Sequence, residues 1–230
     1  MITIKEYLLS KTKKRNIINA NNDTIYQIVK DELDRLGHDA ELNHIDISEV
    51  TDMSRVFSCA FGDLGPSYID LNPDISQWDM SNVTNMQYMF YGCENFNQTY
   101  LSQWDVSKVE NMGYMFTGCK KFNTDLSKWD VSNVTNMNHM FFRCEIFNQD
   151  LHSWDVSKVE NMGNMFYECK NFNKDISKWD VSKAENMLSM FNGCESFNQD
   201  LSQWNVSKVK NHSYMFDKCP IKKEWKPKFK

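Results

Sequence analysis

The chain has 230 residues, 41% hydrophobic and 25% charged, which supplies a core and excludes a low-complexity polymer. Its net charge of −5 divides into 0 over residues 1–45, +4 over 217–230 and hence −9 over 46–216. So acidic a body repels nucleic acid and anionic membranes, and excludes both as partners for the main surface.

In chain order, "MITIKEYLLSKTKKRN" holds only Tyr7-Leu8-Leu9 where an export signal needs an apolar run of about 7–15 residues. No stretch approaches the roughly 20 apolar residues of a membrane span, so no insertion is expected. "NNDTIYQIVKDELDRLG" then predicts a helix. Asp23 stands at its cap, Ile25, Ile28, Val29, Leu33 and Leu36 share one face, and Gly37 ends it. Residues 1–45 therefore read as an N-terminal helical cap.

Beyond them the chain repeats. Trp78, Trp104, Trp129, Trp154, Trp179 and Trp204 follow one another at 26, 25, 25, 25 and 25 residues. Upstream, "IDISEVTDMSRVFSC" is a worn copy of "WDVSNVTNMNHMFFRC", separated from the first full unit by "AFGDLGPSYIDLNP". Seven units thus span residues 46–219, and the basic segment 220–230, with Pro220 and Pro227, closes the array.

Within a unit, Leu151, Trp154 and Val156 give the alternating pattern of a short strand. Val159, Met162, Met165, Phe166 and Cys169 step by 3, 3, 1 and 3, which predicts one face of a short helix. Ser157 with Glu160, Ser107 with Glu110 and Ser182 with Glu185 make capping boxes for it. A strand and a helix bury their apolar faces only by stacking on neighbours. The expected fold is α/β, a solenoid with a parallel sheet on one side and short helices on the other.

The string "NM-x-x-MF-x-x-C-x-x-F" followed by "[LI]S-x-WDVS-x-V" resembles the 25-residue repeat of mycoplasma surface lipoproteins, which belong with the BspA-like leucine-rich-repeat surface proteins of bacteria. "MF-x-x-C-x-x-F" is similar to the "AF-x-x-C-x-x-L" of the Treponema-type leucine-rich repeat. "L-x-x-W-x-V" is similar to the "L-x-x-L-x-L" strand of leucine-rich repeats. The resemblance covers residues 46–219. It implies a right-handed leucine-rich-repeat-like solenoid that binds proteins, often at a bacterial surface. No signal peptide, lipobox or anchor is visible, so surface, secreted, cytoplasmic and phage-encoded locations all stay open.

The chemical candidates resolve mostly into packing. Cys59, Cys93, Cys119, Cys144, Cys169, Cys194 and Cys219 occur once per unit, without the paired spacing of a zinc site. The Met pairs, such as Met112/Met115, share a face with Phe and Cys and read as core rather than as a copper site. The five histidines stand at unrelated phases, and no nucleophile–base pair or phosphate loop accompanies them. No catalytic residue, metal or cofactor is assigned, and the chain reads as non-enzymatic.

The Asp of "WDV" is different. Asp79, Asp105, Asp130, Asp155 and Asp180 form a column pointing away from Trp and Val, on the outer sheet face. Lys128, His152 and Lys178 vary that face, which makes these eight residues the candidate binding site for a protein partner. Tyr88, Tyr114, His139 and Asn164 vary on the helix side and offer a second surface. A monomeric interaction module is the leading reading. A spacer or virion component docked through residues 1–45, and an array stabilised by calcium on the acidic columns, are the alternatives.

Overall fold

The computed structural model describes residues 16–60 and 62–229. Residues 1–15 of the expected cap, Phe61 of the insertion and Lys230 of the basic segment lie outside them. The chain is α/β. Strands β1 (Ile18–Asn21) and β2 (Ile45–Glu49) pair in parallel, Ile18 on Ile45 and Asn19 on Asp46. Between them runs helix α1 (Ile25–Leu36), which buries Ile25, Val29 and Leu33. Gly37, at φ 95°, ends α1 and returns its N–H to the Leu33 carbonyl. The N-cap is Thr24 rather than Asp23. Asn21 Oδ1 accepts the N–H groups of both, at 3.0 and 3.1 Å, which fixes the turn into the helix, and no side chain bonds the first-turn amides as expected of Asp23. Pairing with the array begins before Ile45: Glu41 bridges Asp74, and Trp78 Nε1 donates to the Leu42 carbonyl at 3.1 Å.

Among the described residues the repeat units hold none of the predicted helices, and beyond β2, which opens the first, worn unit, no regular strand. Each contributes one parallel bridge residue, in the series Asp52, Asn85, Asn111, Asn136, Asn161, Asn186 and Asn211, followed by consecutive turns. Two left-handed residues per unit explain the missing helix. Tyr114 has φ 60° and Gly118 φ 76°; His139 and Arg143, and Asn164 with Glu168, repeat the pair. A left-handed residue at the third position of a four-residue turn reverses the chain, whereas an α-helix tolerates none.

This conformation splits the amides between two tasks. The Met115, Thr117 and Cys119 N–H groups close turns onto Met112, Tyr114 and Phe116 of their own unit. The alternate amides of Met112, Tyr114, Phe116 and Gly118 instead donate to Asn136, Asn138, Met140 and Phe142 of the next unit. The carbonyls of those same four peptide groups, on Asn111, Gly113, Met115 and Thr117, accept from Met86, Tyr88, Phe90 and Gly92 of the unit before. Four columns of aligned peptide groups therefore run from unit to unit, with every bond at 2.7–3.0 Å.

The apolar side chains fill the space behind these columns. Phe90, Phe116, Phe141, Phe166, Phe191 and Phe216 stack at 5.7–5.9 Å between centroids, and Phe122, Phe147, Phe172 and Phe197 make a second ladder. Met112 to Met190 of the repeated pairs are fully buried between them. Trp129, Trp154, Trp179 and Trp204 each donate Nε1–H to the Leu or Ile carbonyl of the preceding unit, at 2.8–3.2 Å. Trp104 breaks the series. The extra residue in "FNQTYL" brings in Tyr100, whose hydroxyl donates to the Pro73 carbonyl, and Trp104 Nε1 has no partner among the described residues.

Candidate interaction surface

The Asp of each "WDV" begins a turn. Asp105 Oδ1 accepts the Ser107 N–H at 3.0 Å, and Asp79, Asp130, Asp155 and Asp180 repeat the bond on Ser81, Ser132, Ser157 and Ser182. These Ser residues, expected to cap helices, thus receive no helix and instead anchor the Asp turns. The five carboxylates are exposed and form one column, but the described residues around them make no continuous sheet face. Hydrogen bonds from Ser81, Ser107, Ser157 and Ser182 hold the Asp79, Asp105, Asp155 and Asp180 carboxyls below the usual carboxylate range. A second acidic series does the same: Asp74, Asp125, Asp150, Asp175 and Asp200 each accept the N–H two residues on.

Lys128 and Lys178 are exposed just before their Trp, two units apart, with Ser153 between them. His152 stands one position earlier in its unit, with Nδ1 3.0 Å from Asp150 Oδ1. The structure therefore places Lys128 and Lys178 in one column beside the Asp column, and His152 in another. Asp79 also lines a shallow cavity at the first units, with Ile17, Asp46 and Trp78.

Tyr88, Tyr114, His139 and Asn164 occupy the left-handed turn position, which turns their side chains outward. Tyr88 stacks on Tyr114 at 4.4 Å and Tyr114 on His139 at 4.3 Å, and the Arg55 guanidinium lies 4.6 Å above Tyr88. Burial pushes the His139 imidazole below its ordinary value, which keeps the ring neutral in the stack at pH 7. Alongside, Phe142 stacks on Tyr167 at 4.6 Å with Arg143 against it. Sequence reasoning misses Arg55, Phe142 and Tyr167; the 25-residue spacing of Phe142 and Tyr167 is a signal for those two, and the insertion after the first unit hides Arg55.

The thiols are core. Cys93, Cys119, Cys144, Cys169 and Cys194 are buried and donate to a Phe carbonyl of the unit before, at 2.9–3.1 Å. Burial pushes all five well above the ordinary thiol range, so they stay protonated. Cys59 is one residue out of phase: its N–H bonds Tyr91, as Gly92 bonds Thr117, and its Sγ lies 3.4 Å from Cys93 Sγ. Among the described residues no three His, Cys, Asp or Glu side chains cluster as metal ligands, and no helix is long and apolar enough to cross a membrane.

A protein family described as "Mycoplasma protein of unknown function, DUF285" matches residues 59–168 and, again, 147–224. No curated protein and no solved structure matches the chain.

Proposed function

The chain belongs to the DUF285 family of Mycoplasma proteins, and from that premise we propose that it is a non-enzymatic protein-interaction module, a leucine-rich-repeat-like solenoid of the BspA type. The observation that carries this reading is the separation of scaffold from display. Phe, Met, Cys, Trp and Val positions are buried and repeat almost unchanged, while exposed positions change from unit to unit. The position before Trp runs Gln103, Lys128, Ser153, Lys178, Gln203; the outward turn position runs Tyr88, Tyr114, His139, Asn164.

The acidic column with Lys128, His152 and Lys178 is the primary face, because its charges are exposed and already held in fixed turns, which limits the entropy lost on binding. The Arg55–Tyr88–Tyr114–His139 stack is a second face of the same module. Its test begins with a partner isolated by photo-crosslinking to the full chain and titrated against charge-reversed variants. Asp105→Lys with Asp130→Lys and Asp155→Lys, or Lys128→Glu with Lys178→Glu, weakens binding at least about tenfold. Affinity unchanged in both variants, or no chain captured, overturns the reading and leaves a spacer role.

A further inference from the structure

The four peptide columns share one polarity. In each, the carbonyl points to the preceding unit and the N–H to the next, so their dipoles, about 3.5 D per peptide group, add along the stack. The positive end is the last unit. There the N–H groups of His212, Tyr214, Phe216 and Lys218 continue the columns from Met187, Ser189, Phe191 and Gly193, and none of the four meets an acceptor among the described residues.

The chain after Cys219 pairs with the last unit at one backbone point, where the Trp225 carbonyl takes the Leu201 N–H at 2.8 Å, and covers the column end with side chains. Phe229 stacks on His212 at 3.9 Å and Lys226 lies 5.3 Å from the Phe216 ring. Neither offers a carbonyl to the free amides. A cavity of about 360 Å³ separates the last unit from this covering segment, between Tyr214, Met215 and Pro227. Tyr214 is 70% exposed. Asn198 Oδ1, whose counterparts on Asn123, Asn148 and Asn173 accept an N–H from the next unit, is buried without a partner.

The charges run against the dipole. Lys218, Lys222, Lys223 and Lys228 are exposed at this end, against two acidic residues, Asp217 and Glu224, in the same stretch of sequence. Cations at the positive end of aligned peptide dipoles raise the energy of the free protein, and an anionic occupant reverses the sign.

We infer that the last unit is a docking edge for an acidic polypeptide segment that takes up the turns of a further repeat unit. Its carbonyls take the amides of His212, Tyr214, Phe216 and Lys218, and its carboxylates meet the lysines. This is the backbone pairing of edge augmentation, made by turns in place of a strand, onto an edge whose free backbone groups are all donors. Two copies of the edge cannot pair with each other, since both offer N–H groups. The lateral Asp and Lys columns take no part, so this inference and the proposed function can fail separately.

The probe is a fluorescein-labelled peptide of the sequence Asp155–Glu168, whose three carboxylates outnumber Lys158. It is titrated against the full chain by fluorescence anisotropy, with amide-resolved hydrogen exchange on the complex. The peptide binds saturably, slows exchange at His212, Tyr214, Phe216 and Lys218 at least about tenfold, and is displaced by no more than weak competition from a scrambled sequence. Lys218→Glu with Lys223→Glu, both exposed, weakens it about fivefold. No saturable binding, binding that leaves those four amides unprotected, or affinity indifferent to the charge reversal overturns the inference.

Discussion

Asp105 shows how a display residue is also a structural one. Its Oδ1 holds the Ser107 N–H, and in the last unit Asn205 holds Ser207 in the same way at 3.2 Å. The turn therefore accepts a neutral acceptor, although the lowered Asp105 carboxyl shows the ionised form to be the stronger one. Asp105→Asn is expected to lower the melting temperature at pH 7 less than Asp105→Ala, which loses the acceptor and costs about 1 kcal/mol. The pH dependence has a fixed sign. Carboxyls held low in the folded state stabilise above the ordinary Asp value near 4, and lose that stabilisation as pH falls through the lowered folded value. The Asp contribution is thus flat from pH 8 to 5 and falls below about 4, while His139, held low by burial, adds a decline below the ordinary His value near 6.5; Asp→Asn variants lose less below pH 4 in calorimetry. At this scale the sequence was legible: alternation placed Asp79 to Asp180 outside and Trp and Val inside. It could not show that Ser107 turns its N–H toward Asp105, because a Ser-x-x-Glu string fits a helix cap and an Asx turn equally.

At the scale of the element the sequence misled, and for a physical reason. "M-x-x-M-F-x-x-C" returns to one face every three or four residues, and so does a succession of four-residue turns. The residues that decide between them are Tyr114, His139 and Asn164, and for Tyr114 above all no propensity anticipates the left-handed φ. Strain of about 1 kcal/mol or more at each is offset because the turn aims alternate amides at the next unit. Packing was legible where the backbone was not: Phe166, placed on the apolar face, is fully buried, and its counterpart Phe141 lies between Phe116 and Phe166 at 5.9 and 5.7 Å. Phe141→Ala removes contacts in three units at once and is expected to cost about 3–5 kcal/mol in denaturant unfolding, whereas Tyr114→Ala, at a half-buried ring, costs about 1.

The whole molecule is governed by what passes between units. The 25-residue period announced a stack, and the stack is the reason Trp, Cys and alternate backbone amides each point to a neighbour rather than to their own unit. Repetition alone did not reveal that the peptide groups align, since their direction depends on the left-handed turns. Both proposed surfaces depend on that alignment: the lateral columns on its regular spacing, the terminal edge on its uncompensated donors. The most direct measurement is therefore NMR detection of scalar couplings across backbone hydrogen bonds in the full chain. Correlations from the amide nitrogens of Tyr114, His139 and Asn164 to the carbonyl carbons of Asn138, Gly163 and Leu188 are expected. Couplings from those nitrogens to carbonyls four residues earlier in their own unit, as in an α-helix, contradict the account.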